Sequence, residues 1–325
     1  MPEAETLYKQ NATRFSLIFF IRSETEVEGR FMLELANTFL SDPLFPGCRP
    51  ISLDTKLPGQ GRKLNMGAFS ERRWNASVKK ILAGQYAVVG IRAHTPDFPS
   101  QTISLSLHVN PPGGTEFLGS GDVQISCSVP YLRHLAASAE KVEALLQFGK
   151  RAWNGIEGGP AYGYGNLAFS PPRLGLLEWA AMAPPPGTPL PWESIKAPEE
   201  RTHAIPVACG GSDIDGNLEQ LYCKGRGIKG AFWTNYLTRA HVSMAGGEQQ
   251  IRAKLSGMRV DPLNHGGLMV VATDSPLPED TEENRQRFLR VHAALRPAFL
   301  SREETPENKR PMLGYFYRER TSVVP

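Results

Sequence analysis

The N-terminal part of the chain shows two hydrophobic patterns in succession. A continuous apolar run at residues 15–21 predicts a strand buried on both faces. Apolar residues at every fourth position over 27–39 predict a helix, and a second helix is predicted from Ser70 to Leu82. The intervening segment 43–67 is rich in Pro, Gly and basic residues and predicts a long loop.

The pattern then changes to period two, which is typical of half-buried strands. An apolar run at 86–91 and alternating residues at 103–109 and 123–129 predict three strands. The Asn-Pro-Pro-Gly-Gly turn at 110–114 indicates that the last two strands form an antiparallel hairpin. One helix is predicted over 131–153, and its apolar stripe would cover this sheet.

The C-terminal part again mixes strands and helices. The predicted elements are strand 204–209, helices 231–244 and 248–255, strands 258–260 and 268–273, helix 282–295 and a last strand at 313–317. Strands and helices do not alternate strictly, so the order predicts an α+β fold with mostly antiparallel sheets covered by helices. The order leaves open whether the two halves are related α+β units, one a diverged repeat of the other.

Glycine and proline concentrate between the two predicted halves. The chain holds 31 Gly and 27 Pro, above the average usage of roughly 7% and 5%. Because proline stiffens a chain and lacks an N–H donor, residues 155–198 are predicted to be a Gly/Pro-rich connector packed on its neighbours. This divides the chain into an N-terminal α+β unit, 1–154, and a C-terminal α+β unit, 199–325.

Composition excludes several classes of protein. The net charge is +3, from 36 basic and 33 acidic residues, which is too mild for a surface that grips nucleic acid throughout. The hydrophobic content of 41% is too high for a disordered chain, and no apolar run approaches the roughly twenty residues of a membrane span. The N-terminus lacks a signal-peptide pattern and the four cysteines form no framework, so we expect a cytoplasmic protein with reduced thiols.

The sequence lacks the familiar motifs of catalysis, cofactor binding and metal binding. Residues 225–230 spell GxGxxG, but no strand–helix–strand pattern surrounds them. Residues 213–224 lack the order of an EF-hand loop, and no two histidines have the i, i+4 spacing of a zinc helix. We therefore predict no enzyme, no catalytic residues, no cofactor and no metal site. An enzyme whose site is assembled from distant loops stays an alternative.

Two charged stretches are candidate interaction surfaces. Residues 49–80 hold eight basic residues, which makes a nucleic-acid-binding module an alternative function, although Phe69 and Trp74 alone supply aromatic rings for stacking on bases. Residues 274–283 hold five acids and no base, directly before a predicted helix. Such acids either stabilise the helix start or steer a basic partner.

Several segments of the C-terminal third resemble one protein family. The matching segments are Gly227–Leu237 (GIKGAFWTNYL), Ala245–Gly247 with the helix after it, Gly266–Val271, Ser275–Pro276 and Arg287–Pro297. Weaker elements lie at Gly159–Gly165 and Gly211–Asp215. In this pattern the chain resembles the type VI secretion immunity proteins, a former family of unknown function whose members include antidotes to restriction-endonuclease-like VRR-Nuc toxins. It departs from the family at Pro278-Glu279-Asp280, where a Gly-Asp pair is usual, so that loop is expected to be partner-specific.

The resemblance implies a non-enzymatic protein that binds and neutralises a cognate effector toxin. The toxin would be a nuclease encoded by the adjacent gene, with its active site or substrate groove occluded, and no membrane or direct nucleic-acid partner is expected. The candidate partner-binding residues are Asp274, Glu279, Asp280, Glu282, Glu283, Asp213 and Asp215. The toxin's identity, the contact surface and the oligomeric state do not follow from the sequence.

Overall fold

The computed structural model of the chain contains ten strands and seven α-helices within the residues that it describes. It describes residues 12–21, 29–41, 49–56, 65–83, 85, 88–95, 98–108, 122–156, 160–169, 227–228, 230–278 and 281–300. The strands are β1 (Ala12–Phe20), β2 (Arg49–Lys56), β3 (Asn65–Ala68), β4 (Val88–Thr95), β5 (Phe98–His108), β6 (Asp122–Ser128), β7 (Tyr162–Phe169), β8 (Thr234–Leu237), β9 (Arg259–Leu263) and β10 (Gly267–Val271). The helices are α1 (Gly29–Ser41), α2 (Glu71–Leu82), α3 (Val129–Ala136), α4 (Ala139–Asn154), α5 (Arg239–Met244), α6 (Glu248–Lys254) and α7 (Glu282–Leu295). Among these helices, none combines the length and hydrophobicity needed to cross a bilayer.

All ten strands belong to one sheet. Their order is β3-β2-β4-β5-β6-β1-β7-β8-β10-β9, and every neighbouring pair is antiparallel. The predicted α+β class with antiparallel sheet is therefore confirmed. The predicted hairpin is also confirmed, because β5 pairs with β6 from Ile103 opposite Cys127 to Leu107 opposite Val123.

One face of the sheet is apolar across most of its width. Register places Leu53, Ile91, Leu105, Ile125 and Leu17 side by side on five neighbouring strands, and all are buried. Helices α1, α3 and α4 pack against this face and contact β1, β5, β6 and β9. Removing such a row of side chains from water is the main stabilising contribution to the fold.

The opposite face changes character along the sheet. On β4, β5 and β6 it carries Arg92, Ser104 and Gln124, which are exposed or half-buried. On β7 it becomes apolar, where Tyr164 stacks on Phe232 with ring centroids 4.4 Å apart. Helix α5 covers this apolar part through contacts with β8 and β10. The N-terminal helices thus cover one face of the sheet, and C-terminal segments cover half of the other.

Helix α4 lies unusually close to the sheet at one glycine. A Cβ on Gly149 would stand 2.1 Å from Tyr236 Oη and 3.3 Å from Leu17 Cδ2. Tyr236 is completely buried between Trp153 of α4, stacked at 6.1 Å, and Phe19 of β1, which meets it edge-on at 4.8 Å. Burial raises the pKa of the Tyr236 hydroxyl, so this group stays neutral.

The first part of the predicted connector 155–198 is a central strand instead. Tyr162–Phe169 forms β7, which pairs with β1 on one side and β8 on the other. Its glycines leave room for neighbouring side chains, since a Cβ on Gly163 would lie 2.5 Å from Phe19 Cδ1. Strands from both sides of the connector thus share one sheet. The division of the chain into two units stays a prediction.

Three other expectations differ from the structure. The predicted loop 43–67 contains β2 and most of β3. A bulge between Pro50 and Ser52 interrupts the pairing of β2 with β4, and this breaks the alternation of apolar and polar residues along β2. The predicted helix 131–153 is broken into α3 and α4, because Ser138 accepts a hydrogen bond from Lys141 N and begins a new helix. The predicted helix 231–244 starts as strand β8 and becomes helical only at Arg239, after the Thr238 N-cap. The predicted strands 204–209 and 313–317 lie outside the described residues.

Arginines from neighbouring helices reach both edge strands of the sheet. Arg73 of α2 donates to the backbone oxygens of Asn65, at 2.9 Å, and Ala68, at 3.5 Å, on β3. Arg252 of α6 donates to Val260 O on β9, at 2.6 Å. Strand β9 also contains Pro262, which offers no N–H group. Both edges are therefore partly occupied by groups of the chain itself.

We predict that Gly149→Ala destabilises the protein by about 1–3 kcal/mol, the usual cost of overpacking a core. The added methyl would force Tyr236 from a site closed by two aromatic rings. The measurement is urea unfolding, and Gly90→Ala is the matched control. A Cβ on Gly90 meets Asp54 Cβ at an ordinary 3.4 Å, so its change should stay within about 1 kcal/mol. Equal losses in both variants would contradict the close contact.

Candidate interaction site

The described residues of the predicted acidic stretch lie between strand β10 and the first turn of helix α7. Thr281 is the N-cap of this helix, and its side chain accepts a hydrogen bond from Asn284 N at 3.2 Å. Glu282 and Glu283 occupy the first turn, where carboxylates favour the positive end of the helix dipole. Both side chains are exposed. The helix start therefore displays two acids to solvent.

Arg287 brings two of the predicted residues together. Its guanidinium lies 3.4 Å from Asp274 Oδ2 and 3.4 Å from Glu283 Oε1. The side chain of Asp274 is 95% exposed, that of Glu283 is 77% exposed, and Glu282 accepts a bond from Gln286. Exposed ion pairs of this kind contribute little to stability. These carboxylates thus stay accessible to a partner, and we call Asp274, Glu282 and Glu283 the acidic patch.

The loop that carries Asp274 is fixed on both sides. Trp233 Nε1 donates to Thr273 O at 2.8 Å, and the Thr273 hydroxyl donates to Ser275 O at 2.8 Å. Ser275 Oγ in turn accepts a bond from Leu277 N at 3.1 Å. Thr273 and Leu277 are buried, so Asp274 stands out from an anchored backbone. A preorganised surface of this kind loses little entropy on binding.

The remaining predicted residues are not placed. Glu279, Asp280, Asp213 and Asp215 lie outside the described residues. The structure therefore brings together Asp274 and Glu283, next to Glu282. The role of the whole set in partner binding stays a prediction.

A charged network that the sequence did not predict joins helix α4 to edge strand β9. Arg259 forms ion pairs with Glu143, through two hydrogen bonds, and with Asp261 at 2.8 Å. Lys150 Nζ lies 2.6 Å from Asp261 Oδ2. Glu143 and Lys150 are seven residues apart on one side of a helix, and Arg259 and Asp261 lie on one side of a strand, but nothing local pairs the two elements.

The network shifts the pKa of three side chains, Glu143, Arg259 and Asp261. The pKa of Glu143 is lowered to about 2, and the largest cause is its hydrogen bonding with Arg259. A hydrogen bond from Gln147 lowers this pKa further. The same pair raises the pKa of Arg259. Burial alone would raise the pKa of Asp261, but Arg259 and Lys150 outweigh it and lower the pKa. Glu143, Arg259 and Asp261 are therefore charged at neutral pH, and their ion pairs hold α4 at the sheet edge.

The described basic residues of the stretch 49–80 lie on β2 and α2, whereas Arg62 and Lys63 lie outside the described residues. Arg72, Lys79 and Lys80 are exposed on α2. Phe69 and Trp74, however, stack on each other at 6.2 Å and pack against the hydrophobic core. Rings held in this way are poorly placed to stack on bases. This arrangement weakens the case for nucleic-acid binding, which stays an untested alternative.

The described ranges contain no group of three or more His, Cys, Asp or Glu side chains arranged to hold a metal ion. Cys127 is buried on β6. What these ranges do offer is charge on fixed surfaces, which suits recognition of another macromolecule.

The C-terminal part of the chain is similar to a known protein family. Residues 190–322 match the family model TsiV, described as type VI immunity for VRR-NUC. The predicted resemblance to type VI secretion immunity proteins is thereby confirmed over this segment. No curated protein sequence matches the chain. Among solved structures, the Pseudomonas aeruginosa T6SS protein PA0821 aligns with 88% of this chain and 73% of its own, at 14% identity and a TM-score of 0.49.

We predict that Glu143→Gln flattens the acid limb of the stability profile. Because the folded-state pKa of Glu143 is about 2 against an ordinary 4.5, its stabilisation is present above about pH 4.5 and is lost as pH falls toward 2. Given the partial exposure of Glu143, the loss should be about 1 kcal/mol or less. Urea unfolding between pH 2.5 and 6 measures it.

Glu140→Gln is the matched control, since Glu140 is exposed on the same helix and has no ion pair within the described residues. The wild type and this control should lose stability in parallel below pH 4.5. An E143Q profile parallel to theirs would show that the network adds nothing.

Proposed function

Because residues 190–322 match a family of type VI immunity proteins, we propose that the whole chain binds and neutralises a cognate VRR-NUC effector toxin. This family match is the observation that carries the proposal. The fixed, charged surfaces of the described residues support it, because recognition sites commonly lie on loops held by a rigid scaffold. In this proposal the chain is a stoichiometric inhibitor rather than an enzyme.

We further propose that the chain occludes the toxin's active site or substrate groove. A nuclease needs a positively charged groove to hold phosphates. The acidic patch (Asp274, Glu282 and Glu283) offers the complementary charge on an anchored loop and helix start. The net charge of +3 rules out mimicry of DNA by bulk charge. Inhibition would instead depend on local patches and on shape.

The partner in this proposal is encoded by the adjacent gene, and the complex forms in the cytoplasm. A cell that makes the toxin must neutralise it where its own DNA lies. Binding is expected between the two proteins alone, with no contact to nucleic acid. Glu279 and Asp280 precede the helix in the sequence and are proposed to extend the same contact surface.

Co-expression tests the function directly. Cells that express the adjacent toxin gene should lose viability, and expression of this chain should restore it. The two proteins should also co-purify at equal stoichiometry. If the chain neither rescues growth nor co-purifies with the toxin, the immunity function is wrong.

The acidic patch makes a separate prediction about binding kinetics. The double variant Asp274→Lys, Glu283→Lys should slow association with the toxin by about tenfold or more at low salt, because steering depends on complementary charge. The effect should shrink as salt is raised, since salt screens exposed charges. Surface plasmon resonance at two ionic strengths measures both rates.

Glu248→Lys is the matched control for this experiment. Glu248 is an exposed acid in the first turn of α6, as Glu283 is in α7, and it also pairs with an arginine four residues on. Its reversal should leave the association rate near that of the wild type. Similar rates in all three proteins would show that the patch only stabilises the helix start.

A further inference from the structure

The hairpin between β9 and β10 ends in a tight turn with an unusual residue. Residues 264–267 form a turn closed by a hydrogen bond from Gly267 N to Asn264 O. Both central residues have positive φ, 60° at His265 and 73° at Gly266. Positive φ at both central residues is the pattern of a type I′ turn, and here three residues, 264–266, separate the paired residues Leu263 and Gly267.

Histidine tolerates the left-handed region better than most side chains, but it is less common than asparagine or glycine in such turns. Type I′ turns strongly favour Asn, Asp or Gly at the first central residue, because these tolerate the left-handed region. Among the described residues, His265 is the only non-glycine residue with positive φ. Local backbone strain of this kind is a reason to look for a function.

Nothing within the described residues explains the choice of histidine. The His265 side chain is exposed and makes no hydrogen bond or ion pair there. Arg239 lies beside the turn, with its Cδ 3.4 Å from the point where a Cβ on Gly266 would stand. It is likewise exposed, and its guanidinium has no partner in the described part of the chain. Within the described part of the chain, the side chains of His265 and the neighbouring Arg239 thus both carry donors that have no partner.

The base of the tip is rigid. Asn154, the last residue of α4, accepts a hydrogen bond from Asn264 N through its side chain at 3.1 Å. A Cβ on Gly267 would lie 2.5 Å from Leu237 O and 3.4 Å from Trp153 Cζ2, so the start of β10 is packed tightly on β8 and α4. The backbone of the turn is therefore fixed on α4 and β8, while the side chains of His265 and Arg239 stay exposed.

We propose that His265 and Arg239 form a contact site for a carboxylate cluster on the toxin, a proposal that rests on the function proposed above. A guanidinium pairs with carboxylates through parallel hydrogen bonds, and an adjacent imidazole adds a further donor. Metal-dependent hydrolysis of phosphodiesters requires carboxylates to hold the metal ion. The guanidinium of Arg239 supplies a charge complementary to such a cluster, whereas the acidic patch is complementary to a basic groove.

The test separates turn stability from binding through His265→Asn. Asparagine is preferred in this turn, so the variant should keep or raise the unfolding temperature. It should nevertheless weaken binding of the metal-free toxin in EDTA by about tenfold, and Arg239→Gln should do the same. Lys254→Gln is the control, since it removes an exposed cation whose side chain has no partner within the described residues.

Further measurements test the carboxylate contact and the proposed immunity function separately. Removal of one metal-binding carboxylate of the toxin should abolish most of the effect of Arg239→Gln in a double-mutant cycle. Wild-type affinity in both H265N and R239Q would overturn the carboxylate contact and leave the immunity function intact. A wild-type protein that fails to bind the toxin would overturn both proposals together.

Discussion

The close approach of helix α4 to the middle of the sheet is the constraint on which the rest of the structure depends. Gly149 admits the hydroxyl end of Tyr236, and Trp153 stacks on the same ring. Farther along the same helix, Glu143 joins the charged network of β9 and Asn154 fixes the hairpin turn. Strands β8, β9 and β10 fall within the segment that matches the immunity family, whereas α4 precedes it. Helix α4, from the N-terminal half, thus packs against and supports the strands of the segment that matches the family.

The parts of the fold that the sequence predicted well are those with strong local patterns. Helix α7 has exactly the predicted bounds, Glu282–Leu295, because a polar N-cap precedes an apolar stripe. Strands β3 and β8 are four residues long, too short for a period to emerge, and β8 is buried throughout. Strand β7 was assigned to a connector because its alternating glycines resemble turn chemistry. Those glycines leave space for aromatic side chains of the neighbouring strand β1. This requirement comes from tertiary packing, so the sequence of β7 alone does not reveal it.

In the candidate site too, features that are local in the sequence could be predicted, whereas long-range contacts could not. Asp274 and Glu283 could be grouped from the sequence because they are near neighbours along the chain, although Arg287, which links them, was not foreseen. The pairing of Arg259 with Glu143 spans 116 residues and follows only from the order of strands in the sheet. His265 was not among the predicted site residues. Its significance depends on a backbone angle, which one sequence does not reveal. The outcome is a surface with separate patches of opposite sign, which agrees with a net charge near zero.

The arginines at the two sheet edges limit the ways in which the protein can bind another chain, and so the ways in which its binding can evolve. Arg73 and Arg252 occupy backbone acceptors on β3 and β9, so adding a strand from another chain is disfavoured at either end. Recognition by backbone pairing is largely blind to sequence, whereas recognition by side chains on a hairpin tip or a helix start is not. A chain built this way can exchange one partner for another by single substitutions at its surface. The ten-stranded sheet beneath would stay the same while substitutions at the surface change which partner is bound.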